Sequence, residues 1–330
     1  MQKIQTYVLR NPNGLECEIS NYGAKILRLV VPNDHGEKAD IVLGFRTMEE
    51  WQSKETYFNA MIGRVANRIK DGKFSIDGVE YHVPINNGTN CNHGGISGFN
   101  EKIWDCVGQS LYSVSLHYRS VDGEEGFPGN LDVYVTYQLT RDNTLRITAE
   151  AKTDHPTPCA FTNHAYFNLA GEGSGNVGAH LLTVHTDRYT PVDDSQAPTG
   201  EIASVDGTPM DFRQPTKLAD RWDDPVFAPW RGIDNGWYWG PVEKEGEMHH
   251  MATLEADGRH MDVYSNMPAM MVYTGNWIEP NVGKSGNRYD VRHAVCLECQ
   301  PVANAVNCPS FPNVILRPGE VYYQKIEFRF

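Results

Sequence analysis

Two short stretches, far apart in the chain, carry side chains suited to proton transfer. FTNHAYFNLAG (residues 161 to 171) begins like a strand, sets His164 between Asn163 and Ala165, and breaks at a glycine. AVCLECQ (residues 294 to 300) alternates. Read as a strand, it turns Val295, Leu297 and Cys299 one way and Cys296, Glu298 and Gln300 the other. Glu298 then projects from a rigid element onto a face polar enough to line a pocket. Alone, the carboxylate reads equally well as a group on a solvated sheet face. Together, a strand-borne glutamate and a loop-borne histidine can serve as base and acid.

Two further polar clusters interrupt the apolar background. IGRVANRI (62 to 69) reads either as an ordinary strand whose arginine carries its charge outward on an aliphatic stem, or as a site. In the second reading Arg68 presents fixed N–H donors to the hydroxyls of a polyol. In NCNHGGISGFN (90 to 100), two glycines follow His93 and permit a sharp turn with close backbone approach to a ligand. DGEEGFPGN (122 to 130) reads as an acidic hairpin loop.

The elements that must hold these residues are strands. YSVSLHYRS, LDVYVTYQLT, TLRITAEAKT and the final VYYQKIEFRF alternate apolar and polar positions. KFSIDGVEYHV predicts a hairpin, because Asp77-Gly78 supplies the positive φ angles of a tight turn. TMEEWQSK is the best candidate for a short helix. Glycines (30) and prolines (19) are spread along the chain, with no composition shift to mark a boundary. The expectation is one large, mainly antiparallel β-domain over residues 1 to 330.

A net charge of −13 argues against unspecific binding to nucleic acid or anionic lipid. No stretch approaches the ~18 apolar residues of a membrane span, and the first residues lack a signal-peptide core. Seven irregularly spaced cysteines make a poor disulfide framework. Cys296 and Cys299 form a lone CxxC without partner ligands, so they read as buried thiols in a reducing cytoplasm, not a zinc site. No metal or cofactor is expected.

In order along the chain, NYGAKILRLVVP, GRVANRI, NHGG, DGEEGFPG, NHAYFNLAG, IDN, YTGNW, LECQ with AVN, and LRPGEVYYQKIEF resemble the aldose 1-epimerase (galactose mutarotase) family. Each block is weak evidence; their order and spacing are specific. The resemblance implies a β-supersandwich and a free monosaccharide, galactose- or glucose-like, as substrate of a monomer or homodimer. It implies that Asn67 and Arg68 bind sugar, that His93 contacts a hydroxyl, and that Asp234 in GIDN does likewise. It makes His164 similar to the family's general acid and Glu298 to its general base. One position departs. Where the family often carries a substrate-touching glutamine before YTGNW, this chain has Met271, which opens the question of the preferred sugar.

Interconverting two anomers requires a proton to leave the C1 hydroxyl and another to reach the ring oxygen, so two groups that trade protons suffice. Ordinary pKa values, about 4.3 for Glu and 6.5 for His, predict an ionised Glu298 beside a His164 that is about a quarter charged, more so near the carboxylate. Among Trp237, Trp239, Tyr166 and Trp277, at least half are expected in the core, the rest covering a sugar's C–H face. A non-catalytic sugar-binding module is the alternative. Glycoside hydrolysis by Glu298 and Asp234 would leave His164 without a task. A phosphosugar epimerase would want more cations than the motifs supply.

Overall fold

The computed structural model describes residues 3–54 and 57–330. The alternating runs form the strands Ser113–Ser120, Leu131–Leu139, Thr144–Thr153 and Tyr322–Arg329, adjacent members of a nine-stranded antiparallel sheet. In Leu131–Leu139 every odd residue is buried and every even one at least partly exposed. Each such aliphatic burial stabilises by about 1.5–3 kcal/mol, so a one-residue slip of register would forfeit all of them together. The segment 122–130 is indeed the connection between two of these strands.

Local turn chemistry folds as expected. Asp77 (φ 51°) and Gly78 (φ 82°) close the hairpin Lys73–Ile76 with Val79–His82. The helix Met48–Ser53 opens on a reciprocal cap, in which Thr47 accepts from the Glu50 N–H and the Glu50 carboxylate accepts from that of Thr47.

A four-stranded sheet (strands between Thr6 and Asp40) and a five-stranded sheet complete the sandwich. One continuous apolar cluster joins all three: Val133 and Ile147 from the large sheet, Ile19 and Leu29 from the four-stranded one, Trp237, Val272 and Leu297 from the five-stranded one.

The five-stranded sheet positions the site. Its order is Ala203–Ser204, Arg188–Thr190, Asp234–Tyr238, Ala269–Tyr273, Cys296–Gln300. Trp237, Met270, Val272, Leu297 and Cys299 point into the core. The register sets Met271 opposite both Gly236 and Glu298, and Tyr273 opposite both Asp234 and Cys296. Directly paired residues share a face, so Asp234, Met271, Tyr273 and Glu298 all lie on the side away from the core. Cys296 and Cys299 consequently face opposite sides of one strand.

Candidate active site

His164 and Glu298 meet because the segments carrying them are tied edge to edge. The strand-like beginning of the stretch 161 to 171 is brief: Thr162–Asn163 pairs with Met61–Ile62. Beyond it the backbone is captured from both sides. The His164 N–H donates to the Ala60 carbonyl (2.9 Å), and the His164 carbonyl accepts from Asn59 (3.0 Å). Phe167 and Val295 exchange two bonds of 2.9 Å, which sets this segment beside the start of Cys296–Gln300. Gln324 completes the tie, since its amide nitrogen donates to both the Phe161 and Cys299 carbonyls at 2.9 Å. The result places His164 Nε2 at 3.4 Å from Glu298 Oε1, with 4% and 2% of the residues exposed. Tyr166 stacks on the imidazole at 4.9 Å between ring centroids.

The GRVANRI segment does not form an ordinary strand. Asn67 adopts φ 59° and breaks the run, leaving Arg68–Ile69 to pair with Cys91–Asn92. Asparagine tolerates this left-handed region better than most side chains. Its carboxamide oxygen accepts from the Arg68 N–H (2.8 Å), which aims the guanidinium. His93, at φ 52°, locks onto the same turn: its N–H donates to the Asn67 carbonyl, and its Nδ1 accepts from the Asn67 N–H at 3.2 Å. An accepting Nδ1 fixes the proton of the neutral ring on Nε2. Gly94 has a different duty from the one expected. A Cβ there would fall 2.0 Å from the Gly63 carbonyl oxygen, so the glycine admits neighbouring backbone, not a ligand.

Arg68 Nη2 reaches Asp234 Oδ2 at 3.4 Å and also donates to the side-chain oxygen of Gln196. A cavity of about 580 Å³ opens between these groups, and its wall includes Asn67, Arg68, His93, His164, Asp234 and Glu298. Met271 is set apart. It shares the sheet face with Glu298 but lies outside the cavity wall, 7% exposed, with its sulfur over Gly236. A Cβ at position 236 would meet Met271 Sδ at 3.0 Å and Thr190 Oγ1 at 2.9 Å. Of the four aromatics singled out in the sequence, Tyr166 and half-exposed Trp277 line the cavity, whereas Trp237 is in the core and Trp239 packs against it. Sequence reasoning missed Tyr57, Gln196, Trp230 and Tyr273 in the wall. The alternation that exposes Glu298 could have found Tyr273; Trp230 ends the short 3-10 helix Pro225–Trp230, and Tyr57 and Gln196 sit in irregular segments.

The family model for aldose 1-epimerase matches residues 5–329. The chain belongs to the aldose 1-epimerase family. It is 40% identical to the galactose mutarotase of Rattus norvegicus over 332 residues, covering 99% of this chain and 94% of that one. It is 33% identical to the aldose 1-epimerase of Escherichia coli K12, covering 100% and 96%. Its fold superposes on the GalM/aldose epimerase homologue from C. elegans with a TM-score of 0.90 at 31% identity, over 99% of this chain and 98% of that one. The fold is thus the β-sandwich of the galactose mutarotase-like proteins.

Within this aldose 1-epimerase scaffold, burial changes the charge state expected from ordinary pKa values. It pushes the His164 imidazole down to about 3, which makes the ring neutral near pH 7. It raises the Glu298 carboxyl well above the usual carboxylate range, with the negative charge of Asp234 adding to the rise and Arg68 opposing it. His93 also lies well below the usual imidazole value, through burial first and then the neighbouring His164 and Arg68. The sequence shows neither burial nor proximity, so the predicted part-charged imidazole gives way to a neutral ring beside a carboxyl that holds its proton more tightly than usual. Three buried atoms at the centre have no hydrogen-bond partner among the described residues: His164 Nδ1, Glu298 Oε2 and Arg68 Nε.

Proposed function

We propose that this isomerase interconverts the α and β anomers of a free aldose, galactose- or glucose-like, with His164 and Glu298 moving the protons. The observation carrying this reading is the 3.4 Å approach of Nε2 to Oε1 on the wall of a cavity that also presents Asn67, Arg68, His93 and Asp234.

The pair holds one proton, which has two places to sit. With the proton on His164 the pair is an imidazolium and a carboxylate; with it on Glu298 both groups are neutral. Bound hydroxyls and the Arg68 charge favour the first arrangement, and burial favours the second. Ring opening carries the system between them. Glu298 takes the proton of the C1 hydroxyl, the freed electron pair makes the C1 carbonyl, and the C1–ring oxygen bond breaks. Its electrons go to the ring oxygen, which receives the proton of His164. The open-chain aldehyde then faces the neutral pair that a dry site prefers. Rotation about C1–C2 and closure on the other face reverse each transfer. Positioned acid and base groups contribute about 10²–10⁴-fold, a fitting scale for a reaction that already proceeds in water.

Asp234 is engaged by Arg68 and Gln196, which supports a binding role for it over that of a second hydrolytic carboxylate. Seven free thiols support a cytoplasmic location, and among the described residues no helix is long and apolar enough to cross a membrane. Polarimetry on freshly dissolved α-galactose tests the activity: acceleration by the protein and its loss in Glu298→Gln are expected. An unaltered approach to equilibrium with folded wild-type protein would leave the sugar-binding alternative standing.

A further inference from the structure

We propose that Gln196 is a specificity residue, its amide reading the hydroxyl on C4, across the ring from the anomeric carbon. This rests on the proposed placement of C1 beside His164 and Glu298.

Four observations carry it. Gln196 lines the cavity, and its amide bridges the two charged groups there: Oε1 accepts from Arg68 and Nε2 donates to Asp234 at 3.1 Å. An amide has two donors and two acceptor positions, so one N–H and one lone pair remain for a ligand hydroxyl, which needs one of each.

The backbone around it is built to hold this side chain. Gln196 sits at φ 65°, a conformation that favours glycine, yet the position carries a long polar side chain. The turn is fixed by Asp193, whose Oδ1 accepts from the Ser195 N–H (2.8 Å), the Ser195 hydroxyl (2.6 Å) and the Ala197 N–H (3.3 Å). Lys70 pairs with Asp193 at 2.6 Å and Asn90 donates to the Ser195 carbonyl at 2.7 Å. The turn is therefore anchored to the two segments that carry Arg68 and His93.

The position also matches the departure at 271. Met271 has turned its sulfur over Gly236 and offers the cavity no amide. Gln196 brings one in from the neighbouring loop.

Finally, Asp234 lies two strands across and two residues along from Glu298, a Cα separation of roughly 12 Å from ordinary sheet spacings. With C1 at Glu298, Gln196 and Asp234 meet the part of the ring away from the anomeric carbon, and the proposal assigns them the hydroxyl on C4, the carbon opposite C1.

The experiment compares wild type with Gln196→Met, which keeps length and shape while removing the amide. Sugar affinity is read from quenching of tryptophan fluorescence, since Trp230 and Trp277 line the cavity, and turnover by polarimetry. Losing one neutral hydrogen bond predicts a Kd for galactose raised about five- to tenfold. The Kd for 4-deoxygalactose should differ by less than twofold between the two proteins, and the loss in turnover should fall on KM more than on kcat. Unchanged galactose affinity, or equal weakening toward both sugars, would overturn the assignment. Fluorescence reads Gln196 whether or not the protein turns sugar over, so failure of the proposed activity and failure of this proposal are separate results.

Discussion

Two arginines four residues apart enter the interior in opposite ways. Arg64 is 2% exposed and spends its two terminal nitrogens entirely on the protein. Nη1 donates to the Pro128 and Gly129 carbonyls and the Thr157 hydroxyl, Nη2 to Ser120 and the Val121 carbonyl, at 2.6–3.3 Å. The glycine-rich loop at 122 to 130 thus folds around a structural cation. Arg68 borders a hollow instead, with Asp234 and Gln196 beside it and a carboxyl oxygen and an imidazole nitrogen nearby that have no partner among the described residues. A buried polar group without a partner costs on the order of 1–3 kcal/mol. Both arginines leave Nε without a partner among the described residues, so the difference lies in their surroundings: the loop takes up both terminal nitrogens of Arg64, whereas Arg68 stands at a cavity with open atoms of His164 and Glu298 on its wall.

The strongest way to break this comparison is to exchange the expected effects. Glu298→Gln should lower kcat/KM for galactose by about 10²–10⁴-fold, since an amide cannot take the C1 proton. His164→Asn should do the same. In both, the urea midpoint should hold or rise, because the altered atoms contribute little to the fold and carry a burial penalty. Arg64→Met should do the reverse. It strands several carbonyls and costs about 3–5 kcal/mol, read as a lower midpoint at constant m. Wild-type turnover in folded Glu298→Gln, or an unmoved midpoint in Arg64→Met, would erase the distinction.

The sequence distinguished these regions only in part. Strands such as Leu131–Leu139 were legible because a period of two needs nothing beyond neighbouring residues, and the Asp77-Gly78 hairpin and the Thr47 cap are likewise local. The outward face of Glu298 was legible for the same reason. The roles of Arg64 and Arg68 were not, since both sit among apolar neighbours and only contacts about 60 and 130–170 residues away separate them. Gln196 was hidden for a related reason: its turn is placed by Lys70 and Asn90, more than 100 residues distant. The charge state of His164 and Glu298 depends on burial, which no motif encodes.

That charge state sharpens the comparison through pH. Turnover needs one proton on the pair. A second arrives only as pH falls toward the depressed His164 value of about 3, and the single proton leaves only as pH rises through the elevated Glu298 value. The kcat/KM profile should therefore stay level on the acid side to about pH 4, and its alkaline limb should lie well above the usual carboxylate range. A solvated pair would instead take up its second proton, and lose its activity, as pH fell through the ordinary carboxylate value of about 4.3. An acid limb centred there would mean that water reaches the pair.

The smallest effect expected is at His93. Its Nδ1 is occupied by the Asn67 N–H, so the ring both braces the turn and turns Nε2–H toward the cavity. His93→Asn separates these tasks. The asparagine oxygen falls near the place of Nδ1 and can accept the same N–H, and the residue tolerates φ 52°. What disappears is the Nε2 donor, one neutral hydrogen bond to a hydroxyl, or about 1 kcal/mol. Galactose affinity and kcat/KM should fall roughly five- to tenfold, with the urea midpoint nearly unmoved. A large drop in midpoint instead would put His93 with Arg64, among the groups that serve the fold.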